Sequence, residues 1–94
     1  MARKSVLTDD LRHCIITGSP RVHIHHVFGG SNRKLSEEDG FIIPLKPELH
    51  NLSDFGIHFN REMDLNYKRL CQNYFEQNIG TREQFISRYG KSWL

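Results

Sequence analysis

The chain is 94 residues long, 37% hydrophobic and 26% charged, with a net charge of +2 when histidine is neutral. That length holds one compact domain, and the composition is that of a globular, water-soluble chain rather than a disordered one. No apolar run approaches the ~20 residues of a membrane span, and the basic start MARKSVLTDD lacks the apolar segment of a secretory signal.

In chain order, residues 5–13 (SVLTDDLRH) suit a turn or short helix capped by Thr8, and ITGSP at 16–20 is a turn. RVHIHHVF (21–28) alternates Val22, Ile24 and Phe28 with Arg21, His23 and His25, which predicts a strand. GGSNRKLSEEDG (29–40) reads as a polar loop with glycines at both ends. FIIPL (41–45) reads as a second strand that Pro44 confines to an edge or an end. Two such strands predict an antiparallel hairpin carrying a long loop.

From Pro47 the texture is helical. Pro47 and Glu48 suit the first turn of a short helix over 47–54, interrupted at Phe55-Gly56. Asn60 can cap a long amphipathic helix whose apolar face carries Met63, Tyr67, Leu70, Cys71, Tyr74 and Phe75, and which ends at 78–80. That stripe reads as core, with a dimer face as the other use, so monomer and homodimer both stay open. Thr81-Arg82-Glu83-Gln84 has the capping-box pattern and opens a last helix, with Phe85, Ile86 and Tyr89 inward and Gly90 as its stop. The fold class is α+β.

The chemistry concentrates in histidine. All six, His13, His23, His25, His26, His50 and His58, precede the long helix. The same region is basic: residues 1–34 carry six Lys/Arg against two acids, and residues 35–94 carry seven against nine. Neutral imidazole is both the commonest metal ligand and a general base near neutral pH. A hydrolytic metal site needs two or three ligands, an open position and a separate base for water. The pair His25-His26 followed by His50 and His58 can supply that set. Adjacent strand residues point to opposite faces, so His25 and His26 serve one site only where the strand twists or ends. His23 shares a face with His25 and is a reserve ligand or phosphate contact. Cys14 and Cys71 form neither a CxxC motif nor a disulfide framework, which favours a reduced, intracellular (cytoplasmic) setting.

IHHVFGG at 24–30, PLKPELH at 44–50 and GIHFN at 56–60 resemble the HNH nucleases, which have the ββα-metal fold. The match covers residues 14–60; residues 61–94 would be a helical brace, and the whole chain looks like small phage and prophage HNH proteins. The resemblance makes His25 a metal ligand, His26 the general base and His50 a second ligand of one divalent ion (Mg, Mn, Zn or Ni). For the third ligand, imidazole chemistry and the resemblance favour His58, while i,i+4 helix geometry favours Asp54 beside His50.

It also implies a metal-dependent DNA endonuclease that hydrolyses phosphodiester bonds. The cations Arg33 and Lys34, with Asn32 and Arg21, would hold the phosphate backbone without reading sequence. So few cations point to nicking, to non-specific activity or to a partner protein that supplies specificity. The alternative is an inactive, metal-stabilised module that binds DNA or protein. Many family members brace the hairpin with two CxxC knuckles on zinc. Here CIIT (14–17) and KPEL (46–49) lack the cysteines, so the long helix is expected to do that work. The family's middle Asn, which steadies the loop, has no counterpart before FIIPL, and Asp39 is the nearest residue.

Overall fold

The computed structural model describes residues 3–50 and 60–94. The elements are β1 (His23–His26), a 3-10 turn (Gly30–Asn32), α1 (Arg33–Asp39), β2 (Ile42–Leu45), α2 (Pro47–His50), α3 (Arg61–Asn78) and α4 (Arg82–Tyr89). This is a small α+β fold: a two-stranded antiparallel hairpin, short helices around it and a long helix near the C-terminus. Among the described residues no helix is long and apolar enough to cross a membrane.

The hairpin pairs His23 with Leu45, Ile24 with Pro44, His25 with Ile43 and His26 with Ile42. Residues facing each other across an antiparallel pair share a side of the sheet. One face therefore carries His23, His25, Ile43 and Leu45, and the other Ile24, His26, Ile42 and Pro44. Ile42, Ile43 and Leu45 are fully buried, so β2 is covered on both faces. That explains its unbroken apolar run, where a half-exposed strand would alternate.

The 29–40 stretch differs from the expected loop. RKLSEED forms α1, which Gly40 ends in a left-handed conformation at φ 77°. A side chain on Gly40 would be strained there and would meet the N-terminal arm, 3.1 Å from Val6 Cγ1 and 3.3 Å from the Lys4 carbonyl oxygen. The buried Ser36 ties α1 to both strands. Its hydroxyl accepts from the Phe28 N–H at 3.2 Å and donates to the Phe41 carbonyl at 2.6 Å. The steadying contact in the loop thus falls to Ser36 rather than to Asp39, which serves α4 instead. Residues 5–13 form turns and no helix: Thr8 accepts from the Asp10 N–H, and Asp10 from the Arg12 N–H. These short side chains satisfy the local backbone in place of helix bonds.

The core joins Val27, Phe28, Phe41, Ile43 and Leu45 of the hairpin region to Cys71 and Phe75 of α3 and Phe85 and Tyr89 of α4. Phe28 is its hub, with ring centroids 5.8 Å from Phe41, 5.6 Å from Phe85, 4.5 Å from Tyr89 and 4.9 Å from Trp93. Met63, Tyr67 and Tyr74 pack against this core, so the aromatic stripe of α3 turns inward. Leu70 departs from the expected stripe and is 51% exposed, as Ile86 of α4 is at 38%. Each lies one position from a buried residue, Cys71 and Phe85, and a helix turns about 100° per residue.

Both caps form as the sequence predicts. Asn60 accepts from the Met63 N–H at 3.1 Å, and Thr81 and Gln84 exchange the two bonds of a capping box. Gln72, fully buried, accepts from the Trp93 N–H and donates to Ser92, which pins the C-terminal tail to α3.

α4 also grips α1. Arg88 Nε lies 2.8 Å from Asp39 Oδ2, Arg88 Nη2 lies 3.2 Å from Glu38, the Tyr89 hydroxyl donates to Asp39, and the Asn32 amide donates to the Tyr89 carbonyl at 3.0 Å. Burial first, then the carboxylate of Asp39, pushes the Tyr89 hydroxyl pKa upward, so it remains a donor. The turn at 14–17 and the Lys46 backbone ahead of α2 meet at the buried Cys14 sulfur. Burial raises its pKa, but hydrogen bonds from Thr17 and from the Lys46, Thr17 and Ile16 backbone outweigh that and lower it.

Ser36→Ala leaves the Phe28 N–H without its partner and should cost roughly 1–3 kcal/mol of stability in urea denaturation. A loss below about 0.5 kcal/mol, the usual scale of a surface substitution, would show that the hydroxyl does not hold the loop.

Candidate functional site

Strand alternation sends the two adjacent histidines apart. His25 is buried, 5% exposed, and its ring meets that of His50 edge-on with centroids 5.3 Å apart. α2 makes this meeting possible: Pro47 starts it one residue after β2, and His50 is the last of its described residues, the rest of the expected 47–54 helix lying outside them. His23, two residues before His25 on the same face, joins them. Its Nδ1 lies 3.2 Å from His50 Nδ1, so one of these nitrogens carries a hydrogen and the other accepts it. His23, expected as a reserve ligand or phosphate contact, thus lies against His50.

His26 takes the other face. Its side chain is 9% exposed, and Nε2 lies 2.9 Å from Glu37 Oε1. Glu37 is also held by Arg3, whose Nη2 lies 2.6 Å from the same oxygen. These groups line an open cleft of about 450 Å³ together with Gly30, Ser31, Arg33 and Lys34. Arg33 and Lys34 are exposed, and these two of the four expected phosphate contacts share a cleft with His26. Arg21 is exposed but does not line that cleft. Asn32, also expected to meet phosphate, has its amide engaged with Tyr89. His13 sits apart, 2.7 Å from Asp10 Oδ2.

The donor set suits a divalent ion in part. His25 and His50 are brought together, and imidazole donors suit zinc and nickel. The third expected ligand, His58 or Asp54, lies outside the described residues. Among the described residues no group of three His, Cys, Asp or Glu side chains is arranged to hold a metal.

Glu37 and Arg3 escaped the sequence reading. While 29–40 reads as a loop, Glu37 is one acid in an acidic run. Once 33–39 is a helix, Glu37 is i+4 from Arg33 and i+3 from Lys34, on the face toward His26. RKLSEED, with cations at its start and acids at its end, does not follow the usual dipole preference, which helps to hide the helix. No model of a known protein family matches the chain, and no curated protein or solved structure matches it either.

The hydrogen bond from Arg3 holds the Glu37 carboxyl at about 2, below the ordinary 4.5; burial opposes this, and His26 adds to it. A pKa depressed in the folded state contributes stability that is present above the unfolded value and lost as pH falls through the folded one. The stability difference between wild type and Glu37→Gln should therefore narrow as pH drops from 4.5 toward about 2. Parallel denaturation curves for the two proteins measure it, and a constant difference across that range would contradict the contact.

Proposed function

We propose that this chain is a metal-dependent DNA endonuclease of the HNH type, with the ββα-metal arrangement formed by β1, β2 and α2. The observation that carries this reading is the division of labour at the end of β1. His25 turns to His50 on one face, while the adjacent His26 turns on the other into a cleft lined by Arg3, Arg33 and Lys34. Among the described residues β1 has β2 on one side only. A phosphodiester crossing its outer edge would meet both faces at once.

In this reading His25 and His50 hold the ion, with His58 or Asp54 as the third ligand, and the His23 contact orients the His50 ring. An ion held there would supply Lewis-acid charge to the phosphodiester. Arg33 and Lys34 hold neighbouring phosphates and fix the register of the strand without reading bases. Neutral His26 takes a proton from the attacking water as the new bond to phosphorus forms and the bond to the 3′ oxygen breaks. The products are a 5′-phosphate and a 3′-hydroxyl. The small number of cations in the cleft favours nicking with little sequence preference, or reliance on a partner protein for specificity.

Supercoiled plasmid incubated with the protein and Mg²⁺, Mn²⁺, Ni²⁺ or Zn²⁺ should be nicked. His26→Ala should slow nicking by about 100-fold or more, the usual contribution of a general base. Nicking by His26→Ala at the wild-type rate, or no nicking with any of the four ions, would refute the proposal. If chelator lowers the melting temperature of a protein that never nicks, the chain is a metal-stabilised binding module instead.

A further inference from the structure

Among the described residues Glu37 is the acid that lines the cleft of the candidate base, and its geometry limits which nitrogen of that base can act. We infer that Glu37 is the positioning residue for His26, holding its ring by Nε2 so that Nδ1 is the nitrogen that receives the proton from water. The inference rests on the nuclease reading for its catalytic half, and on the contact alone for its structural half.

An ionised carboxylate can only accept hydrogen bonds. Across the 2.9 Å contact, His26 Nε2 must therefore carry the hydrogen. In the neutral ring this leaves Nδ1 as the only basic nitrogen. The carboxylate is itself fixed from behind. Arg3 Nε lies 3.2 and 3.1 Å from the two Glu37 oxygens, and Arg3 Nη2 lies 2.6 Å from Oε1. Glu37 also sits on a helix whose neighbour Ser36 is bonded to Phe28 and Phe41. The chain Arg3–Glu37–His26 thus runs from the N-terminal arm through α1 to the end of β1. A base oriented by a third group in this way needs no reorientation when water arrives.

The wild-type protein in mildly alkaline buffer should show a low-field, exchange-protected imidazole hydrogen bound to His26 Nε2 in proton–nitrogen correlation spectra. Glu37→Ala should lose that resonance and lower the kcat of plasmid nicking by roughly tenfold or more, with KM nearly unchanged because Glu37 does not hold DNA. Glu37→Gln keeps an acceptor oxygen at the same place, and should retain the resonance and most of the rate. Thermal melting checks that both variants fold, as expected for a side chain 34% exposed. A hydrogen found on Nδ1, a resonance that persists in Glu37→Ala, or an unchanged kcat in that variant would overturn the inference. If the wild-type protein shows the Nε2 hydrogen and Glu37→Ala loses it, yet neither nicks, the nuclease reading falls and the positioning contact stands.

Discussion

The candidate site depends on one constraint: the two-residue period of β1, locked by its pairing with β2. Shifting the register by one residue would exchange the faces of His25 and His26. The pairing of His25 with Ile43 and His26 with Ile42 sets the first ring against His50 and the second against Glu37. Because Ile42 and Ile43 are both fully buried, a slip would also have to unseat two core residues. Burial of β2 thereby fixes the positions of polar groups on β1.

A hairpin of two four-residue strands is marginal by itself, and both cysteines of this chain are free and buried. Stability comes from what wraps around the hairpin. Phe28, just past the end of β1, gathers Phe41, Phe85, Tyr89 and Trp93 around one ring. α4 then reaches back to α1 through Arg88, Tyr89 and Asn32. The same contacts that bury aromatic surface hold α1, and α1 presents Glu37, Arg33 and Lys34 to the cleft. The C-terminal helices are therefore part of the site's support, although none of their residues lines the His26 cleft.

Much of this was legible in the sequence, and the failures have physical causes. Alternation in RVHIHHVF and the apolar run FIIPL mark the strands, and the Asn60, Thr81 and Gly90 caps mark the ends of the later helices, because those signals act locally. The divergence of His25 and His26 follows from strand geometry alone. The helix at 33–39 does not, because its one inward hydroxyl, Ser36, gains its meaning from strands on either side. Leu70 and Ile86 break the expected apolar faces because tertiary packing, not periodicity, decides which edge of a stripe is covered. The Arg3–Glu37–His26 chain joins three distant segments, and no local pattern encodes it.

The central claim is that His25 and His50 bind an ion while His26 stands apart as the base. The most direct measurement is a crystal structure of the zinc-loaded protein, with diffraction recorded at the zinc absorption edge. The account predicts an anomalous peak about 2.0–2.1 Å from a nitrogen of each of His25 and His50, completed by His58 or Asp54, with His26 still on Glu37. A peak bound to His26, or no peak at His25 and His50 at saturating zinc, would contradict it.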